Sequence, residues 1–338
     1  MIKSLEYFRA IAIVLIVAGH FFYIANIESV SLLELTIQNL IFGGTTLFVF
    51  ISGFLFHHVF YTRFKYKEFV TKKVKVIVLP YLVFSMIPAI YYSLKSITPD
   101  LYFDISVLNY AYLVAKYLIT GTALQIYWYI PFIMLTFLLS PLHIRFIKLS
   151  TKTKLALIIS LIITASFLHR SIDNYNIFHN FLYFTPIYLI GITSSIHKNK
   201  IYLLFKGKEY LLFAIVVIFA FLQAYIGKVG SYHKLVFEYN GVDLMLLQKL
   251  ALSIFFMVWL HRYEDTKIRL LEIIAATSFT IYFMHAFLLW IITSFGLKLN
   301  NSWMAYVFLV SIVILFCSMA ALAIKKVFKK HSRYIIGF

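Results

Sequence analysis

Arg9 and His20 have the spacing in this sequence that says most about chemistry. They stand eleven positions apart in a nearly unbroken apolar stretch. At about 100° per residue that interval returns to one helix face after three turns, with roughly 16 Å between the two side chains along the axis. An ionisable group at mid-membrane costs roughly 2.5 to 3.5 kcal/mol on insertion scales, so each needs a reason to be there. Glu6, three positions before Arg9, is placed to hold the guanidinium. Such groups can engage a polar substrate or line a polar path. On spacing alone, an anchoring Arg9 and a His20 hydrogen-bonded to a neighbouring helix explain the pattern equally well.

Further candidates come in short strings. Ser52-Gly53-Phe54-Leu55 closes a second apolar stretch, and Lys72, Lys73 and Lys75 precede Pro80. Trp128 and Tyr129 open a later stretch, and Tyr282-Phe283-Met284-His285 lies deep in another. Each has a plain structural reading. Ser52 and Gly53 permit close helix packing, the three lysines form a charge run facing an anionic leaflet, and Trp128 and Tyr129 suit an outer aromatic belt. His285 could face His20 across one cavity or make a structural hydrogen bond. Lys249, inside another apolar run, is expected to snorkel outward or to pair with Asp243 or Glu238.

The elements that must position these residues are membrane helices. Of the 338 residues 62% are hydrophobic and 13% charged, too little polar surface for a water-soluble globule. Windows of about 20 residues place spans at 7–25, 37–60, 76–94, 127–145, 155–169, 178–196, 209–227, 243–260, 270–292 and 304–324. The expected architecture is therefore an all-α integral membrane protein, a bundle of about ten transmembrane helices forming one domain over 1–338. Residues 105–120, with Tyr110, Tyr112 and Tyr117, read as an interfacial helix. If that segment spans, everything after it inverts.

Charge placement supports the even count. With both termini in the cytoplasm, 24 of the 31 lysines and arginines fall in cytoplasmic segments, as the positive-inside rule requires. The net charge of +18 thus points to the anionic inner leaflet of a lipid bilayer and not to nucleic acid. Seven acids, among them Asp100 and Asp104, fall on the outer side or its boundary. The single cysteine, Cys317, lies in an apolar run, so no disulfide, cysteine-pair redox site or zinc cluster is expected, and no metal. There is no internal repeat and no inverted pair of broken spans, which weighs against a secondary transporter.

Taken in order, these strings resemble the acyltransferase type 3 family of bacterial membrane O-acyltransferases. The resemblance runs from Glu6-x-x-Arg9-x10-His20 through Ser52-Gly53-Phe54-Leu55, the basic residues before Pro80 and Trp128-Tyr129 to Tyr282-x-x-His285, nearly the whole chain. It implies transfer of an acetyl, succinyl or related acyl group from cytoplasmic acyl-CoA to a sugar hydroxyl on a surface glycan, exopolysaccharide or lipid-linked precursor. The protein would sit in the bacterial cytoplasmic membrane. Arg9 with Lys72, Lys73 and Lys75 would serve the CoA end. His20 would be the general base at the transfer point, and Glu6, Ser52, Trp128, Tyr129 and His285 would line the substrate path.

Two features depart from the family pattern. The basic pair, usually arginines, is here Lys72 and Lys75, which keep charge for a phosphate but lose the bidentate fork. No appended extracytoplasmic domain is expected, so a second acyl-handling step would need a partner such as a glycan synthesis or export protein. Length and a Phe-, Tyr- and Ile-rich style are similar to the branch acting on the intercellular-adhesin polysaccharide, to which succinyl transfer and export have both been ascribed. The alternative function is a transporter or exporter of a polysaccharide or other polar solute, with Arg9, His20 and His285 in its path.

Overall fold

The computed structural model describes residues 2–96 and 107–338. Asp100, Asp104 and the first two positions of the 105–120 segment lie outside the described residues.

The first helix, α1 (Lys3–Ala25), has 23 residues and so rises about 35 Å, enough to cross a hydrocarbon core of about 30 Å. It stops at Asn26, which takes the left-handed conformation (φ 51°) common just past a helix end. Next come α2 (Leu32–Ile41) and α3 (Thr45–Leu55). A Ser31/Glu34 capping box starts α2, the pairing its Ser-x-x-Glu sequence favours. The chain then breaks at Phe42-Gly43-Gly44, with Gly43 at φ +77°. Beyond it α4 (Tyr66–Lys73) leads through a π-helical turn at Val74–Val78 into α5 (Leu79–Lys95).

The second half of the chain continues with α6 (Val107–Thr120), a 3-10 turn at Gln125–Trp128, α7 (Tyr129–Leu138), α8 (Ser140–Lys148) and α9 (Thr151–Leu168). After β1 (Arg170–Ser171) come α10 (Ile177–Ile196), α11 (Lys198–Phe205) and α12 (Glu209–Tyr225). A second two-residue strand, β2 (His233–Lys234), precedes α13 (Leu244–Leu260), α14 (Arg269–Ser294) and α15 (Trp303–Phe328).

The protein is an all-α membrane protein. Among the described residues, seven helical stretches are long and apolar enough to cross a membrane by themselves: 3–25, 32–63, 66–95, 151–168, 244–263, 269–294 and 303–335. The other three expected windows are also helical, as α7 with α8, α10, and the 17-residue α12.

Contacts sort the connections to two ends of the bundle. At one end Glu264 accepts from the backbone N–H groups of Lys3 and Ser4, Arg262 pairs with Glu209, and Tyr66 donates to the Leu138 carbonyl. At the other, Leu299 N–H donates to the Ile24 carbonyl, Gln125 to Asp173, and Asn39 to the Lys228 carbonyl. Ser96 pairs with Tyr117 beside Tyr92 and Trp290, at this second end. Ser96 and Gln125, described residues on either side of α6 in sequence, therefore lie at one end of the bundle. Its link to α7 bends by 65°, and none of its side chains is buried.

Glycines set the tightest helix contact. A Cβ on Gly53 of α3 would lie 2.0 Å from the Tyr188 carbonyl oxygen, and one on Gly191 of α10 would lie 2.2 Å from that of Phe50. The two backbones meet because neither residue has a side chain. Lys249 departs from expectation: it neither snorkels nor pairs with an acid. It is fully buried, and its Nζ donates to the Leu40 and Asn39 carbonyls at 2.8 and 3.1 Å. The α2–α3 break leaves these carbonyls without helical partners, and a cation at a helix C-terminus satisfies both the hydrogen bonds and the dipole.

Candidate active site

His20 sits on α1 where the helix passes the α2–α3 break. Its Nδ1 lies 3.1 Å from Nε2 of His285, and the rings are nearly parallel. His285 is fully buried, and its Nδ1 is 2.7 Å from the Ile281 carbonyl. A carbonyl only accepts, so His285 Nδ1 carries that ring's proton and its Nε2 offers a lone pair. His20 Nδ1–H then donates to it. The outcome is a defined tautomer, with the His20 Nε2 lone pair uncommitted beside a cavity. His285 stands behind His20 and does not face it across the space.

That cavity, about 230 Å³, is lined by His20, Gln125, Trp128, Arg170, Asn174 and His233 among others, and by Gly43, Gly44 and Thr45 of the break. Arg170 reaches it because β1 and β2 pair in parallel, Arg170 opposite His233. Its guanidinium donates to Ser231 Oγ at 2.5 Å and Asn174 Oδ1 at 2.9 Å and lies 4.8 Å from the centre of the Trp128 ring, a cation–π arrangement. Burial and then the charge of Arg170 push the His233 imidazole down to about 4, leaving it neutral.

Arg9 opens on a second cavity of about 250 Å³, toward the end that holds both termini. Lys73, Ser52, Tyr129, Tyr282 and Arg333 line it with a shell of phenylalanines. Lys73 Nζ lies 4.5 and 4.7 Å from the ring centres of Phe137 and Phe60. Lys72 and Lys75 are not there. They point into an adjacent surface groove of about 440 Å³ with Lys67 and Arg333. On a helix, positions 72 and 75 share a face that 73 does not. The pair singled out by sequence is thus exposed, and the residue between them faces Arg9.

Glu6 does not reach ion-pair distance of Arg9, whose Nε is buried without a hydrogen-bond partner. It belongs to the first turn of α1, where a carboxylate also answers the helix dipole. Trp128 and Tyr129 are not belt residues: they are 5% and 8% exposed and line, respectively, the cavity beside His20 (the outer cavity) and the cavity at Arg9 (the inner cavity). Ser52 lines the inner cavity while its neighbour Gly53 makes the α3–α10 contact, so packing and lining fall to adjacent residues.

An aromatic layer separates the cavities. Tyr282 stacks edge-on against Tyr129 and His285, and its hydroxyl donates to the Ile126 carbonyl at 2.8 Å. Tyr127 donates in return to the Phe283 carbonyl at 2.8 Å. The two bonds lock the 125–128 turn to α14. Arg9, His20 and the lysines thus divide between two back-to-back cavities and a groove, with His285 buried behind His20. Among the described residues, no group of three or more His, Cys, Asp or Glu could hold a metal ion.

A family model described as an acyltransferase domain, that of acyltransferase type 3, matches residues 2–322. The chain belongs to the acyltransferase type 3 family. It is a multi-pass membrane acyltransferase. No curated protein and no solved structure matches it.

Arg170 and Arg333 were missed by sequence reasoning. Arg170 left one signal: it is an arginine on the side of the membrane where positive charge is scarce. Arg333 was hidden in a basic tail that reads as a topology signal.

Proposed function

We propose that this acyltransferase takes an acetyl, succinyl or related acyl group from cytoplasmic acyl-CoA and places it on a sugar hydroxyl of an envelope glycan or exopolysaccharide. The work is done in the bacterial cytoplasmic membrane. The observation that carries this reading is the Ile281 carbonyl–His285–His20 relay, which aims an unprotonated Nε2 at a polar cavity. A general base needs that tautomer held in place.

In this reading the acceptor hydroxyl enters the outer cavity and gives its proton to His20 Nε2 as its oxygen attacks the thioester carbonyl. A C–O bond forms, the C–S bond breaks, and the thiolate leaves with the proton from His20. The imidazolium is held by His285, as a third group orients the base in other acyl-transfer sites. Arg9 and Lys73 face the donor, and Lys67, Lys72, Lys75 and Arg333 offer their charge to the CoA phosphates. The acyl carbon passes the Tyr129–Tyr282 layer, and the tyrosines shift to admit it.

The test is mass spectrometry of surface glycan before and after mild alkali in wild-type, deletion and His20→Ala strains. The expected result is glycan that persists in both mutants but lacks ester-linked groups. Loss of the glycan itself would instead favour an exporter and overturn acyl transfer as the function.

A further inference from the structure

The outer cavity contains a positive charge with no negative partner. Arg170 is 9% exposed, and its two hydrogen-bond acceptors, Ser231 and Asn174, are neutral. Its Nε is buried with no partner at all. The nearby Asp243 does not close to ion-pair distance. That carboxylate is committed to the Tyr183 hydroxyl at 2.8 Å and the Leu246 N–H at 2.9 Å. No Asp or Glu lines the cavity. Asp173 lies outside the lining, where Gln125 holds it at 3.4 Å.

A second positive feature points into the same space. The eleven-residue α3 begins at Thr45, with Gly44 as its N-cap and no side-chain cap, and both residues line the cavity. Lys249 occupies the opposite side of the break, capping α2. Gly44 and Thr45 thus share the cavity with Arg170 and His20; the Thr46 and Leu47 N–H groups turn back to the Gly43 and Gly44 carbonyls, but the dipole at this end still favours an anion. A buried cation is costly unless it is paired and fully hydrogen-bonded; Lys249 is satisfied by carbonyls, whereas Arg170 has a donor to spare and no anion.

We infer that the outer cavity is an anion site: it recognises the acceptor through a carboxylate or phosphate carried by the glycan, held between Arg170 and the α3 N-terminus so that a neighbouring hydroxyl meets His20. This deepens the acyl-transfer reading and rests on it for the role of His20. Trp128, stacked on the guanidinium, fixes its plane for a bidentate contact.

The experiment measures binding without any acyl donor, in the full chain reconstituted in nanodiscs. The probes are methyl glucuronide, glucose 1-phosphate and the neutral methyl glucoside. An ionic hydrogen-bonded contact predicts that at least one anionic sugar binds about tenfold or more tighter than the glucoside. Preference for glucuronide assigns the anion as a carboxylate, and preference for glucose 1-phosphate as a phosphate. Arg170→Gln should abolish the preference, and Arg170→Lys should keep part of it. Equal affinities in wild type, no binding of any probe, or a preference that survives Arg170→Gln each overturn the inference. The wild-type comparison decides alone if the variants do not insert. Because no donor is present, failure of acyl transfer would leave this result standing, whereas loss of the preference with transfer intact would sink only the anion site.

Discussion

Arg9 and His20 share one face of α1 yet open onto different cavities, with the aromatic layer of Tyr129 and Tyr282 between them. One helix thus presents a cation to the space at one end of the bundle and an imidazole to the space at the other. α1 is the element that spans the two cavities and holds both side chains.

Removing the base should affect transfer and little else. His20→Ala is expected to lower acyl transfer by about 10²- to 10⁴-fold while the protein remains inserted and abundant. His285→Phe, which frees the His20 tautomer but keeps His20, should cost less than His20→Ala. Single-turnover assays in nanodiscs would check both, and His20→Ala activity equal to wild type would remove His20 from the chemistry.

The lysines should separate by position. Lys73→Met, in the cavity with Arg9, is expected to lower transfer by about tenfold or more, since it deletes a partly desolvated charge. Lys72→Ala and Lys75→Ala lie in an exposed groove and should raise the acyl-CoA KM only a few-fold, an effect that shrinks as salt rises. Steady-state kinetics at two ionic strengths measures this, and an unequal outcome in the opposite order would move the donor site to the groove.

Gly53→Ala should be severely destabilising, by at least about 3 kcal/mol, because the added carbon meets backbone and not a movable side chain. Gly19→Ala, whose Cβ would rest 3.5 Å from Phe42, is the control and should melt near wild type. Thermal unfolding in detergent tests the pair, and similar melting of both variants would refute the close α3–α10 approach.

Glu264 clamps the start of α1. Burial opposes its charge, but hydrogen bonds from the Ser4 and Lys3 backbone N–H groups outweigh that and hold the carboxyl below its usual range. A lowered acid pKa stabilises above the ordinary carboxylate value and ceases to as pH falls through the lowered one. Glu264→Gln should therefore lower Tm at pH 7, with the gap to wild type closing on acidification below about pH 4. A constant gap across that range would mean the charge plays no part.

Much of the fold was legible because hydropathy and lysine placement are local or periodic signals. The face shared by Arg9 and His20 followed from helix geometry, and the ten windows all coincide with helices. What stayed hidden depends on long-range approach. Arg170 reaches the cavity through pairing with His233, across more than sixty residues, and two-residue strands leave no alternation to read. Lys249 looked misplaced because its partners are backbone carbonyls, exposed only by a break in another helix. Lys72 and Lys75 outranked Lys73 because similarity of spacing says nothing about which face turns inward.

The aromatic layer has an electrical consequence. A continuous wet channel along α1 would let ions run down the membrane potential whenever the enzyme was idle. Trp128, Tyr129 and Tyr282 are buried between the two cavities and keep them separate. In the proposed reaction only the acyl group has to cross. Under the proposed transfer the bilayer would stay insulating while an acyl group is carried from one face to the other.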